Sequence, residues 1–348
     1  MKKLFRVRFG DSQSDNLKSK IQNRKSAGLF SIIVALAFAF GGVEAQAQQP
    51  GKIFRIGFLD NSTASGMAVL LDALRRELSQ LGWIEGKNIA IEYRFAEGKN
   101  DRLPELAAEL VRLKVDLIVV SGVPSASAAK KTTTAIPIVM TNSGDPVGTG
   151  LIASLARPGG NITGLSALAP ELNTKRLEIL KDAVPKLARV GLLQRGGEFQ
   201  LKEIRPAAVA LKLKLEEIET QITPKDLEIA FKTAKQKKVG AIMTTTARLF
   251  FDERKRVVEL AGKYRLPAIY FQKEFVDEGG LMSYGADYVD LYRRGAVYVD
   301  KILKGAKPAD LPVQQATKFE FVINLKAAKQ IGLTLSPEFL SRANQVIK

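Results

Sequence analysis

The 348-residue chain contains no cysteine and no histidine. This double absence removes thiol nucleophiles, Cys/His zinc sites, Ser-His-Asp triads and histidine acid–base catalysis together. It also excludes disulfides and a lipid attached to an N-terminal cysteine. Carboxylates and lysines remain available, so the composition disfavours an enzyme without excluding one. We expect no catalytic residue, no metal site and no cofactor.

The chain is basic, with 53 Lys and Arg against 36 Asp and Glu and a formal net charge of +17. Such a balance raises nucleic-acid binding as a hypothesis. The basic residues are scattered, however, and mixed with acidic ones, as in DERKR at 252–256. No RNA-recognition signature and no basic-aromatic stripe accompanies them. The pattern is typical of a solvated surface, and we expect no nucleic-acid partner.

The first 47 residues have the order of an export signal. A basic stretch ends at Arg24-Lys25, an apolar run spans 27–43, and the small residues of Ala45-Gln46-Ala47 follow. This order predicts a signal peptide over 1–47 that is cleaved near Ala47, and hence a periplasmic protein. The alternative interpretation is an uncleaved membrane anchor, although the apolar run is short for a membrane span.

From residue 52 onwards, strand-like and helix-like segments alternate in two runs of similar length. Short apolar stretches such as 115–120 and 136–140 are typical of strands buried on both faces of a parallel sheet. The pattern predicts an α/β fold with two doubly wound parallel-sheet lobes. We also expect a short helix over 147–156, and a long amphipathic helix over 288–304 that follows the second run.

Three stretches carry a family resemblance. The first is GDPVG at 144–148 leading to SLARPGGNITG at 154–164, the second is GGLMSYG at 279–285, and the third is VINLKAAK at 322–329. They resemble the ABC-transporter substrate-binding proteins of the tryptophan- and tyrosine-binding type. The chain departs from that pattern after 193, where QRGG stands in place of an Asn-Pro turn, so ligand preference is expected to differ.

The resemblance implies a type I periplasmic binding protein, with two lobes joined by a three-segment hinge. The lobes would comprise 52–165 plus 286–314 and 166–285 plus 315–348, with the helix at 288–304 packed on the first. The implied function is the extracytoplasmic capture of a small ligand, an aromatic amino acid or other small carboxylate, by hinge closure. The implied partner is the membrane permease of an ABC importer, and we expect a monomer. A ligand-binding sensory subunit that signals to a membrane receptor or kinase is the alternative.

The ligand site follows from geometry, because open α/β sheets bind ligands beyond the carboxyl ends of their strands. Ser121 and Gly122 end a strand and open a helix, whose free amides and positive dipole end suit a carboxylate. Asp60 or Asp145 is expected to face an ammonium group. The candidate ligand-binding residues are Asp60, Ser121, Gly122, Ser125, Asn142, Asp145, Thr246 and Tyr284.

Each candidate also has a purely structural explanation. Ser121 and Ser125 are suitable helix caps. Asp145 precedes a proline and is suited to a turn. Thr246 can be an ordinary strand residue. We expect Gly122→Val to impair binding while folding survives.

Overall fold

The computed structural model describes residues 52–195, 198–221 and 223–348. The predicted signal peptide at 1–47 lies outside them. The described chain forms two sheets, each covered by helices on both faces. We refer to each sheet with its helices as the first and the second lobe.

The first sheet has six strands, and every neighbouring pair is parallel. Its strands in chain order are β1 (Phe54–Asp60), β2 (Ile89–Phe95), β3 (Leu117–Ser121), β4 (Ile138–Ser143), β5 (Ile162–Ser166) and β11 (Gln314–Gln315). Across the sheet they are ordered β11-β5-β4-β3-β1-β2. The strand β3 is buried along its whole length, as expected for the middle of a sheet with helices on both sides.

The second sheet has seven strands. They are β6 (Arg189–Gln194), β7 (Lys214–Glu219), β8 (Ala241–Thr244), β9 (Ala268–Tyr270), β10 (Met282–Ala286), β12 (Phe319–Asn324) and β13 (Gln345–Ile347), in the order β13-β12-β10-β9-β8-β6-β7. One pair, β10 with β12, is antiparallel, and Ala286 at the end of β10 faces Phe319 at the start of β12. The chain re-enters this lobe where β10 leaves it, so β12 runs in the opposite direction.

Apolar side chains on both faces of each sheet form the cores. The helices on the first sheet are α1 (Ala64–Gln80), α2 (Leu103–Arg112), α3 (Gly122–Thr132) and α10 (Tyr288–Leu303). Those on the second sheet are α4 (Ala169–Ala183), α5 (Glu198–Ala210), α6 (Pro224–Gln236), α7 (Arg248–Asp252), α8 (Arg254–Lys263), α9 (Glu274–Asp277), α11 (Leu325–Ile331) and α12 (Pro337–Ser341). No described helix is both long and apolar enough to cross a membrane.

The chain crosses between the lobes three times, from β5 to α4, from β10 to α10 and from β11 to β12. The second crossing ends where the Asp287 carboxylate caps α10 by accepting the amide of Asp290 at 2.9 Å. From this cap, α10 runs across the first lobe and buries Leu291, Tyr292 and Val299 in its core. The helix α10 therefore packs on the first sheet, although it directly follows β10 of the second sheet in the chain.

The helix expected over 147–156 is absent, and this segment forms successive turns. The Asp145 carboxylate accepts the amide of Gly148 at 2.8 Å, and its carbonyl accepts the Thr149 amide at 3.1 Å. Gly150 then takes a left-handed φ of 70°. Two glycines within three residues favour these turns over a helix.

Candidate ligand-binding site

A cavity of about 400 Å³ lies between the two lobes, at the carboxyl ends of their parallel strands. This is the size of a pocket for a small organic molecule. Lining residues from the first lobe include Asn61, Ser121, Gly122, Val123, Pro124 and Asn142. Lining residues from the second lobe include Arg195, Gln200, Thr246, Arg248, Phe271 and Gln272. Most of these positions come at or just after the end of a strand, where α/β sheets carry their ligands.

Four of the eight candidate residues share this cavity, namely Ser121, Gly122, Asn142 and Thr246. The other four are not among its lining residues, namely Asp60, Ser125, Asp145 and Tyr284. The structure thus separates these four from the cavity wall, and their contact with a ligand stays a prediction.

Asp145 and Ser125 serve the local structure of the first lobe. The Asp145 carboxylate is held in the turn at 145–149 by the Gly148 amide. Ser125 is fully buried in α3, and its hydroxyl has no hydrogen-bond partner within the described residues. Neither residue is among those that line the cavity.

Asp60 is fully buried behind the cavity wall, at the end of β1. One of its carboxylate oxygens accepts the Ser62 amide at 2.6 Å, and the other has no partner within the described residues. Burial raises the pKa of this carboxyl, while the positive charge of Arg248 acts in the opposite direction. Asp60 therefore supports the wall from behind.

Tyr284 lies in the second sheet. Its ring stacks on Phe319 and meets Phe321 edge to face, with ring centroids 6.3 and 6.2 Å away. Its side chain thus takes part in packing between neighbouring strands.

The first-lobe wall is built around the start of α3. Gly122 has a left-handed φ of 74°, and its amide donates to the Asn142 side-chain oxygen at 3.1 Å. Pro124 has no amide hydrogen, so of the first three residues of α3 only Val123 keeps an uncommitted amide within the described chain. The helix start offers fewer donors than expected.

The positive φ also changes the expectation for Gly122→Val. A β-branched residue is strongly disfavoured in this region. The substitution would lower stability as well as binding, so it cannot separate the two.

The second-lobe wall depends on a buried arginine that the sequence reasoning missed. Arg176, in α4, is 1% exposed and donates to the Tyr284 carbonyl and the Thr246 hydroxyl, both at 2.9 Å, and to Asn173. No carboxylate pairs with it within the described residues. Burial lowers its pKa to about 10, so the guanidinium stays charged at neutral pH.

Gln200 completes this wall. Its side-chain oxygen accepts the Thr246 amide at 2.8 Å, and its nitrogen donates to the Thr246 carbonyl at 2.9 Å. Together Gln200 and Arg176 fix both the backbone and the hydroxyl of Thr246. A sequence signal for Arg176 did exist, because it interrupts the apolar face of α4 next to Leu177 and one turn before Leu180.

The two lobes touch through α7, beside the cavity. The Ser62 hydroxyl lies 3.2 Å from the Asp252 carboxylate, and Arg248 donates to the Gly66 carbonyl. Arg248 also pairs with Asp252 at 3.4 Å. We call this group of four residues, Ser62 and Gly66 of the first lobe and Arg248 and Asp252 of the second, the cross-lobe clasp.

The cavity wall carries positive charge together with neutral hydrogen-bonding groups. The cavity-lining residues include two arginines and no Asp or Glu. No group of three potential metal-ligating side chains occurs within the described residues. The remaining polar groups are amides and hydroxyls, which orient a ligand by hydrogen bonding.

Comparisons with known proteins agree with this geometry. The profile of the family described as ABC transporter substrate binding protein matches residues 63–347. A curated relative, the tyrosine-binding protein of Clostridioides difficile, is 29% identical over 262 residues, which cover 74% of this chain and 75% of the relative.

Two solved structures are similar throughout. A conserved domain protein from Vibrio cholerae is 28% identical with a TM-score of 0.80, covering 85% of this chain and 100% of its own. An ABC domain from Streptococcus pneumoniae, solved in complex with L-Trp, is 26% identical with a TM-score of 0.78 at the same coverage. The predicted fold class, two α/β lobes of the periplasmic-binding-protein type, is confirmed. This chain belongs to the ABC transporter substrate-binding protein family.

Proposed function

We propose that the protein is the extracytoplasmic solute-binding component of an ABC importer. It captures one small carboxylate, with aromatic amino acids within that class, in the cavity between the lobes. It presents the closed, loaded form to a membrane permease as a monomer and does not alter the ligand.

The observation that carries this proposal is the position of the cavity. Residues that follow strand ends in both lobes line it, and the cross-lobe clasp joins the lobes at its side. A ligand held there contacts both lobes and favours their closed arrangement, which is how hinged binding proteins report occupancy. The moving bodies would be 52–165 plus 286–314 and 166–285 plus 315–348.

The ligand class is supported by the relatives. One is named as a tyrosine-binding protein, and another was solved with L-Trp. The arginines on the wall of this cavity are consistent with a ligand that carries a carboxylate.

Binding is tested by a thermal-shift screen of amino acids, aromatic acids and sugars, followed by calorimetric titration. Ala247 lines the cavity in an extended conformation, so Ala247→Trp fills the space with an indole while the backbone remains favourable. Ala210→Trp, at an exposed helix end, is the matched control. We expect Ala247→Trp to lower affinity at least tenfold and the control to retain it. Equal affinities would place the ligand elsewhere.

Export is tested separately. The full chain should yield a periplasmic protein whose first residue is Gln48, or Gln46 if cleavage follows Ala45. Sequencing that still finds Met1 at the N-terminus would contradict the proposed export.

A further inference from the structure

We propose that the ligand is an organic carboxylate that carries no amino group. This inference rests on the proposed function and narrows its ligand class, because amino acids of the same carbon skeleton are expected to bind more weakly.

The first argument is the charge of the wall. Arg195 and Arg248 line the cavity, and no carboxylate does. Arg248 is engaged by Asp252 and by the Gly66 carbonyl. Arg195 makes no hydrogen bond or ion pair with the other described residues, so its guanidinium is available to an anion. Arg176, behind Thr246, adds a second uncompensated positive charge.

The second argument is that three side-chain oxygens on the wall already accept a hydrogen bond from the protein. The Asn142 oxygen accepts the Gly122 amide at 3.1 Å, and the Asn100 oxygen accepts the Asn61 side-chain amide at 3.3 Å. The Gln200 oxygen accepts the Thr246 amide at 2.8 Å. The side-chain oxygens of Asn61 and Gln272 remain open within the described chain, but they are uncharged, and a buried ammonium group without a charged partner is disfavoured.

Donors, by contrast, remain available. The Thr246 hydroxyl accepts from Arg176, so its own hydrogen is free to point elsewhere, and the second hydrogen of the Gln200 amide is uncommitted within the described residues. Tyr288 also lines the cavity, and burial raises its pKa to about 12, so its hydroxyl keeps its proton at neutral pH. A wall of donors around a free guanidinium matches a carboxylate.

Three of the carboxylates near the cavity do not provide a place for an ammonium group. Asp60 is fully buried behind the wall, and Asp252 is held by Ser62 and Arg248 in the clasp. Asp145 is committed to its own turn. The apolar part of the ligand would contact Val123, Leu249 and Phe271, which also line the cavity.

The experiment compares matched compounds on one carbon skeleton. The probes are 3-phenylpropanoate, L-phenylalanine and 3-phenylpropanamide, with the corresponding indole set and with butanoate against 2-aminobutanoate. Dissociation constants are measured by calorimetry on the mature protein. In at least one set, we expect the amine-free acid to bind at least tenfold more tightly than both its amino acid and its amide.

Two variants test whether residues of the cavity wall cause the preference for the amine-free acid. Arg195→Gln should weaken binding of the acid at least tenfold, while Arg112→Gln, an exposed arginine on α2, serves as the charge-matched control and should not. Gln272→Glu places a carboxylate on the wall in a side chain of nearly the same shape. It should reverse the order and favour the amino acid.

The outcomes separate this inference from the proposed function. Tighter binding of an amino acid or amide that Ala247→Trp abolishes would overturn the inference and leave the proposed function standing. Binding that is insensitive to Ala247→Trp would overturn both. A tenfold preference for the acid that is lost in Arg195→Gln would support both.

Discussion

At the scale of single residues, Gly164 in β5 lies so close to the backbone of Met140 in β4 that it has no room for a side chain. It has a φ of 130°, and a Cβ placed there would lie 2.1 Å from the Met140 carbonyl oxygen. Backbone atoms cannot move aside as a flexible side chain does. The glycine thus allows β4 and β5 to pair immediately before the first crossing.

We expect Gly164→Ala to lower the free energy of unfolding by about 3 kcal/mol, from overpacking and a strained φ together. Gly262→Ala is the control, because a Cβ added at Gly262 in α8 would meet no atom within 4 Å and its φ is not positive. It should stabilise by about 0.5–1 kcal/mol. Urea unfolding of both variants provides the measurement, and equal stabilities would contradict the close-contact argument.

The buried Asp60 carboxyl gives a pH dependence with a defined sign. Its pKa in the folded protein is raised above 3.8, so the folded state holds the proton more tightly than the unfolded chain does. Its contribution to stability is therefore present at low pH and is lost as pH rises through the raised pKa.

We expect Asp60→Asn to remove this dependence. The stability of the variant relative to the parent should increase from about pH 4 to about pH 7, by about 1.4 kcal/mol for each unit by which the pKa is raised. Denaturant unfolding across this range is the measurement. A relative stability that falls with pH would show that the Arg248 attraction outweighs burial.

At the scale of elements, the five-residue helix α7 supplies the second-lobe half of the cross-lobe clasp. Arg248 lies over the Phe251 ring at 4.3 Å, and Arg254 lies 4.8 Å from the same ring. The short helix is thereby held in one orientation, with Asp252 directed to Ser62. An exposed helix of one turn would not keep this orientation without such contacts.

We expect Asp252→Asn and Ser62→Ala each to weaken ligand binding about threefold to tenfold, because each removes about 1 kcal/mol of closed-state contact. Neither residue lines the cavity. The effects should be non-additive in the double variant, since the two side chains share one hydrogen bond. Asp101→Asn, at an exposed position, is the control. Fully additive losses would argue against the clasp.

The sequence predicted the regular strands and helices better than it predicted the antiparallel strand β12 and the turns at 145–150. Apolar strands alternating with amphipathic helices specify the two sheets, because both signals are local. The direction of β12 and the turns at 145–150 follow from where the chain re-enters a lobe and from side-chain-to-amide contacts. The same holds for the residues of the site. Ser121 and Thr246 can be predicted because they lie near strand ends, whereas Arg176 reaches the wall only through the packing of α4.

At the scale of the whole molecule, the three crossings connect two lobes, each built on its own sheet. The cavity and the clasp lie between those lobes, so we expect ligand binding and lobe closure to be coupled. We expect a saturating ligand to reduce the radius of gyration measured by X-ray scattering.

The same ligand at a hundredfold excess over its dissociation constant should stabilise the protein by about 2.7 kcal/mol. The melting temperature should therefore rise by several degrees, and Ala247→Trp should abolish both responses. An unchanged radius of gyration together with a normal thermal shift would indicate binding without closure.

The clasp also has a kinetic consequence. Arg248 and Leu249 line the cavity, and Leu249 lies 3.0 Å from where a Cβ of Gly98 would stand, so on this side the exit passes between touching lobes. A molecule that leaves on this side must wait until these contacts separate, and we expect its residence time to be set by the opening rate rather than by its own contacts. Chemically different ligands would share similar dissociation rates, and selectivity among them would arise in the association step and in the fraction of encounters that end in closure.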